Sequence, residues 1–527
     1  MRNTHFPGRS PVYSLDGMVS TSHPLATKAA IDILSKGGNA IDAAVTAASV
    51  LAVVEPHSTG VGGDLFCLYH SVRSNKVLAL NASGRAPEAI SLDKLNNIGI
   101  KDDIPFQSPH SVSIPTGVAG WIKLIEDHGS LSLKEILEPS INYAQNGYIV
   151  ADVIADVWKR EIEKLSLDED CKNLFLPDGK FLKAGDIHYQ PRLADTLKSI
   201  AEFGRAGFYE GEVAKSMVNK LNTLGGFHSL EDFAKAEANY VEPISANYRD
   251  AKIYECPPNG QGVIALIIMK ILEGYDFNNI PSNSSLRIHL QAEATKIAFS
   301  HRSHYLADPN FSSVPVEEML SEKYINNLRS LIKLDTCIEG YKPELPVHPN
   351  TVYISVVDKE KNSVSLINSI FHSFGSGIVA PDSGVLFQNR GASFVLDPSH
   401  PNVIEAGKRP MHTIIPSLAT KQNKPYLSFG VMGGHYQPMG QAHVLSNIID
   451  YGMDPQQSLD FPRSFYFDGV LECEKGIPED VRKELLKIGH KVEVCDLPHG
   501  GGQVIEHRGP TLIGGSDPRK DGCAIGL

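Results

Sequence analysis

Residues 341–358 constrain this chain more than any other stretch. Tyr341-Lys342-Pro343-Glu344-Leu345-Pro346-Val347-His348-Pro349-Asn350 is polar and Pro-rich. Proline fixes its own φ and pushes the preceding residue toward extended backbone, so this run reads as an exposed tether. It leads straight into Thr351-Val352-Tyr353-Ile354-Ser355-Val356-Val357. Those β-branched and aromatic residues predict a strand. Asp358-Lys359-Glu360-Lys361-Asn362 is a turn, and Ser363 to Phe371 is a second strand-like run, so a hairpin is expected. A strand that opens on Thr behind such a tether suits a residue that becomes a new N-terminus when the chain is cut before it. A Thr hydroxyl is a weak nucleophile at neutral pH and needs a base. Cleavage between Asn350 and Thr351 would free an α-amine, whose pKa of roughly 7.7 to 8.0 lies near working pH. One residue would then supply nucleophile and base together. The stretch alone also fits an ordinary Thr at a strand edge.

Composition narrows the setting. A chain of 527 residues is too long for one simple core and predicts one large or two intimate domains. Hydrophobic content of 42% with 21% charged residues is that of a globular protein. The net charge of −12 and the lack of a basic tract argue against a nucleic-acid partner. Residues 1–14 carry no apolar core of a signal peptide, so a cytoplasmic location is expected. The apolar run Ala40 to Val54 contains Asp42 and Thr46. It is too short and too polar to cross a membrane, and predicts a buried helix. The seven Cys are scattered without a CxxC, which fits neither a disulfide framework nor a Cys-type zinc site.

Along the chain, Ala26 to Ser35 predicts a helix that stops at Gly37-Gly38, and Asn39 can cap the next one. Gly60-Val61-Gly62-Gly63-Asp64 enters a strand and lacks the Lys-Ser/Thr of a phosphate loop, so it reads as a tight packing turn. Arg85 follows a short strand among small residues, with room for its guanidinium in a cleft; a lone surface Arg is the alternative. Residues 117–250 are mostly helical, and Val263 to Leu272 and Leu286 to Tyr305 predict further helices. His301 and His304 are spaced for a metal pair, but without an HExxH pattern they read as structural or surface His. After Thr351 strands dominate, including Ser363 to Ile370, Ser393 to Leu396 and Pro425 to Val431, with a helix from Gly440 to Ile449. Two β layers with helices outside them would pack well. Lys408 to Pro416 places His412 and Thr413 in an apolar segment. Gly433-Gly434 leaves backbone N–H groups open at a helix entrance, as an oxyanion hole needs.

Together these stretches resemble the γ-glutamyltranspeptidase family of N-terminal-nucleophile hydrolases. The likeness is collinear: Gly37-Gly38-Asn39-Ala40-Ile41-Asp42-Ala43-Ala44, Glu55-Pro56, Gly60 to Asp64, Gly117-Val118-Ala119-Gly120-Trp121, Thr351 with Ser355 to Asp358, Phe374-Gly375-Ser376-Gly377, Arg409-Pro410, Gly433-Gly434 and Ser516-Asp517-Pro518-Arg519. The resemblance implies an α+β fold, a four-layer αββα sandwich. It implies self-cleavage before Thr351 into a helix-rich heavy subunit, residues 1–350, and a β-rich light subunit, residues 351–527. It implies a small-molecule amide substrate, no cofactor, no metal and no membrane partner, and allows a dimer of heavy–light pairs. By position, Thr351 is nucleophile and base. Ser369 is the hydroxyl beside it, Gly433 and Gly434 form the oxyanion hole, and Arg85 holds the substrate carboxylate.

The departures from the family bear on the acyl donor. Typical members bind the glutamyl α-amine through Asn, an acid and Gln; Phe371, Ser393 and Arg390 stand at those positions. His412-Thr413 replaces a Ser-Ser pair. The sequence is closer to the γ-glutamyltransferase-like subgroup with oxamate amidohydrolase and glutaryl-cephalosporin acylases. Phe371, Ser393 and Arg390 offer an ammonium no anionic partner. Carboxylate donors without an amine should therefore outperform γ-glutamyl compounds such as glutathione, with Arg390 or His412 adding a contact. The sequence also allows two other classes, an unprocessed small-ligand binder and a metal-dependent hydrolase built on His301 and His304.

Overall fold

The computed structural model describes residues 8–339 and 351–527. The expected cut after Asn350, and the tether before it, lie outside the described residues.

Two seven-stranded antiparallel sheets form the middle of the protein. The first sheet runs Cys523–Gly526, Met18–Thr21, Val352–Val357, Ser363–Ser369, Asp64–Ser71, Lys76–Ala82 and Asn239–Val241. The opposing sheet runs Val12–Ser14, Thr511–Ser516, Gly501–Arg508, Lys424–Met432, Ser417–Lys421, Ala251–Glu255 and Ile244–Tyr248. Both sheets contain strands from before and after Thr351, so the two halves share their cores.

Side-chain alternation assigns the layers. Val352, Ile354 and Val356 join a core with the helices Pro24–Ser35, Ala40–Val54 and Gly117–His128. Tyr353 and Ile367 point the other way, into a core with Phe66, Leu68, Leu418 and Met432 between the sheets. The outer face of the opposing sheet packs on Gly262–Glu273, Ser285–Tyr305 and Gln437–Ile449. The result is helix, sheet, sheet, helix. Each large apolar side chain fully buried here contributes about 1.5 to 3 kcal/mol.

Local chemistry fixes these elements. The Asn39 side chain accepts from the Ile41 and Asp42 amides, and Asp42 accepts from the Asn39 amide, a capping box on Ala40–Val54. The hairpin is tied to that helix start, because Asp358 in its turn accepts from the Ala40 amide at 3.0 Å. Trp121 donates to Asn368 at 2.9 Å, docking the Gly117–His128 helix on the same hairpin.

Two expectations change. Ser393 to Leu396 is not a strand; Arg390–Ser393 is a short 3-10 turn. The Ser393 hydroxyl lies 2.8 Å from the Arg390 carbonyl and 2.7 Å from that of Met411, which satisfies the turn locally. The helix expected from Gly440 begins at Gln437, with Pro438 in its first turn, where the missing N–H costs nothing.

Candidate active site

Register places Thr351. Val352 pairs with Asn368 and Ser369 with Asp64 across three adjacent strands. Thr351, Ser369 and Asp64 therefore stand side by side on the face turned to the opposing sheet. The turn before Asp64 brings these strands together: a Cβ on Gly63 would lie 2.2 Å from the Ser369 carbonyl oxygen, so only glycine fits. The Gly-rich loop is a packing turn, as expected.

Thr351 is 1% exposed, and its Oγ1 is 3.2 Å from Ser369 Oγ. Ser369 Oγ also accepts from the Phe371 amide at 3.0 Å and from Arg390 Nη2 at 3.4 Å. With both acceptor positions engaged, the Ser369 proton is left to point at Thr351 Oγ1. The Thr351 hydroxyl accepts that bond and keeps its own proton for a base.

Arg390 crosses the site. Nη1 donates to Thr413 Oγ1 at 2.9 Å, Nε lies 3.4 Å from Asp64 Oδ2, and the guanidinium sits 4.2 Å over the Phe371 ring. The side chain is fully buried. Burial pulls the guanidinium down from its usual range while Asp64 pulls it back up. Asp64 Oδ2 also accepts from His412 Nε2 at 2.6 Å. His412 Nδ1 accepts from the Ile414 amide at 3.2 Å, which fixes the neutral tautomer. Burial, followed by Arg390, lowers the His412 pKa to about 4, so the ring is neutral at pH 7. For Asp64, burial alone would oppose ionisation, but His412 and Arg390 outweigh it and hold the carboxyl below its usual range. Asp64 Oδ1 and Arg390 Nε have no hydrogen-bond partner among the described residues.

Gly433 has φ +111° and ψ +32°, and Gly434 has φ +53°. They link the Lys424–Met432 strand to the short turn before Gln437–Ile449. Gln261 braces this corner, donating to the carbonyls of Thr413 at 2.6 Å and Gly434 at 2.9 Å. Asn259 does the same nearby, donating to Pro410 O at 2.7 Å and Ser83 Oγ at 3.0 Å.

The sequence-predicted residues thus divide. Thr351, Ser369, Arg390, His412 and Thr413 form one network. The Ser393 hydroxyl is directed to backbone carbonyls. Arg85 donates to the Gly407 carbonyl at 2.9 Å and lies 3.7 Å from Asp308. It lines a small cavity with Glu88, Thr116, Asp232 and Lys235. Asp64, Asn259 and Gln261 had no assigned role in the sequence, although Asp64 closes the Gly-rich motif. His301 is bonded to the Ile297 carbonyl at 2.8 Å and the Tyr324 hydroxyl at 2.6 Å. The one group among the described residues spaced to hold a metal is His289, Glu293 and His490. There Lys296 already bonds Glu293 at 2.7 Å.

A four-layer sandwich with a hydroxyl-bearing residue at the head of a central strand is an arrangement found in the N-terminal-nucleophile hydrolases. The chain belongs to the gamma-glutamyltranspeptidase family, whose model matches residues 26–527. The glutathione hydrolase-like YwrD proenzyme of Bacillus subtilis (strain 168) is 37% identical over 527 residues, covering 97% of this chain and 98% of that protein. The oxamate amidohydrolase proenzyme of Klebsiella pneumoniae subsp. pneumoniae is 31% identical over 529 residues, covering 97% and 99%. The crystal structure of cephalosporin acylase from Bacillus halodurans superposes with a TM-score of 0.93 at 38% identity, covering 99% of this chain and 98% of that one. The chain is an enzyme, a self-processing hydrolase or acyltransferase of that family.

Proposed function

We propose that Thr351 cuts the chain before itself and then cleaves the amide bond of a small carboxylate-bearing donor. The Thr351 hydroxyl attacks the Asn350 carbonyl, acyl shifts from nitrogen to oxygen, and water separates the heavy subunit, residues 1–350, from the light subunit, residues 351–527. The freed α-amine then takes the hydroxyl proton, directly or through a water. Thr351 Oγ1 attacks the donor carbonyl, and the oxyanion faces the Gly433 and Gly434 amides. The amine leaves with a proton, and water or an acceptor amine resolves the acyl-enzyme. The observation that carries this reading is the Thr351–Ser369–Arg390–Thr413 network, which sets a buried guanidinium against the nucleophile's hydroxyl partner.

Arg390 supplies the carboxylate contact, since a guanidinium pairs with carboxylates through two parallel bonds. The amine of a γ-glutamyl donor fits less well. Asp64 is the acid in this cluster, and its charge is already shared by Arg390 and His412. Small amides with a carboxylate and no α-amine, such as oxamate and glutaryl amides, are the proposed donors. The test compares kcat/KM for a γ-glutamyl anilide, a glutaryl anilide and oxamate on fully processed protein. A glutaryl anilide or oxamate should lead. A γ-glutamyl anilide ahead by about tenfold, or 1.4 kcal/mol, would contradict the reading and make Asp64 Oδ1 the ammonium acceptor.

A further inference from the structure

We propose that Asp64 is a positioning residue for the amide-cleaving reaction: it fixes the Arg390 guanidinium and the His412 ring so that the donor carboxylate meets Arg390 in one orientation. The inference rests on the reading of Arg390 as the carboxylate contact.

Three observations carry it. First, Asp64 is the meeting point of two segments. Arg390 comes from the short turn after the hairpin, and His412 from the crossing into the opposing sheet. Both reach Asp64 Oδ2, at 3.4 Å and 2.6 Å. Second, all three side chains are fully buried, where a charge without a partner is strongly disfavoured. Without Asp64 the guanidinium would have Thr413 and Ser369 hydroxyls and the Phe371 face, but no anion in this network. Third, Asp64 meets Arg390 only at Nε, across a long contact of 3.4 Å. Arg390 Nε and Asp64 Oδ1 each lack a hydrogen-bond partner among the described residues. Asp64 therefore holds Arg390 from Nε, and Nη1 and Nη2, the donors a carboxylate engages, have only the Thr413 and Ser369 hydroxyls as partners in this network.

His412 completes the device. Its neutral ring donates to Asp64 through Nε2 and accepts from Ile414 through Nδ1, so both nitrogens are spent. The ring adds no charge, and it locks the Asp64 carboxylate in one rotamer. The same carboxylate stands beside Ser369 in the ladder. Asp64 thus ties carboxylate recognition to the nucleophile's partner in a single rigid unit.

The experiment measures kcat and KM of processed wild type, Asp64→Asn, Arg390→Gln and the double variant. Each is assayed with a glutaryl anilide and with its analogue bearing a primary amide in place of the carboxylate. Melting temperatures show whether each variant folds. Wild type should prefer the carboxylate donor, mainly through KM. Asp64→Asn keeps the shape and the His412 bond but loses the charge. It should lower that preference roughly tenfold or more, the scale of a charged hydrogen bond. The double variant should be no worse than Arg390→Gln alone, because Asp64 works through Arg390. A wild type that does not prefer the carboxylate donor overturns the reading of Arg390, and the role of Asp64 with it. A wild-type preference that survives Asp64→Asn within about threefold, or losses that simply multiply in the double variant, overturn the role of Asp64 alone. If Asp64→Asn does not fold, Asp64→Asn with Arg390→Gln removes both charges together; a preference persisting in that folded protein overturns the proposal.

Discussion

Thr351 and Ser369 face one another across two neighbouring antiparallel strands, their hydroxyl oxygens 3.2 Å apart, and Ser369 is the donor of that pair. The direction of the bond follows from the Phe371 and Arg390 donors that fill the acceptor side of Ser369. On the proposed mechanism Thr351 is the nucleophile, and a hydroxyl donating to it strengthens its bond as charge builds on Thr351 Oγ1. Ser369→Ala should lower kcat roughly 10- to 100-fold with little change in KM, on the scale of a charge-assisted hydrogen bond. Steady-state kinetics on processed protein check this split.

Arg390 and Arg85 make opposite predictions. Arg390 touches the Ser369 and Thr413 hydroxyls, whereas Arg85 is bound to the Gly407 carbonyl beside Asp308. Arg390→Lys keeps the charge but loses the fork, and should raise KM for a carboxylate donor about tenfold or more. Arg85→Lys should change KM less than about threefold, a shift under 1 kcal/mol. Parallel KM measurements separate the two, and the reverse ranking would move the carboxylate to the Arg85 cavity.

The corner at Gly433 strains any side chain. Its φ of +111° disfavours any L-residue, and a Cβ would stand 2.9 Å from Gly500 Cα. Gly433→Ala should keep the fold and shift the amides that, on the proposed mechanism, face the oxyanion. Loss of one such donor costs about 100- to 1000-fold in kcat, and displacement should cost a fraction of that, at least about tenfold. Single-turnover kinetics measure it directly.

Much of this was legible in the sequence. The alternation of Val352 to Val357, the Asn39 cap and the apolar run Ala40 to Val54 are local patterns, and each became the element it predicts. Thr351 stood out because it heads a strand. The electrostatic centre was not legible. His412 and Asp64 are 348 residues apart, and only the folded register sets them 2.6 Å from one another. Arg85 and Arg390 are alike in sequence, each an Arg among small residues, and only the fold distinguishes their surroundings. Ser393 to Leu396 misread as a strand because its β-prone residues follow a turn that a side-chain hydroxyl closes.

Burial also sets a pH dependence of stability. Glu55 ends the Ala40–Val54 helix, and its burial raises its pKa to about 7. The folded state then holds this proton more tightly than the unfolded chain does. The stabilisation is complete below about pH 4.3 and is lost as pH rises through 7. A rise of this size corresponds to about 3 kcal/mol. Glu55→Gln removes the ionisation, so its melting temperature should gain on wild type between pH 5 and pH 8. Equal differences at both pH values would show that Glu55 does not titrate in the folded protein.

On the proposed mechanism one residue, Thr351, both cuts the chain and does the chemistry. Intact-mass analysis of purified wild type and Thr351→Ala tests it most directly. Wild type should give two chains of 350 and 177 residues, the latter being 527 less 350, with Thr351 as the N-terminal residue of the smaller. Thr351→Ala should remain one inactive chain of 527 residues. A wild type cut elsewhere, or a Thr351→Ala protein that still divides at the same bond, would contradict the account.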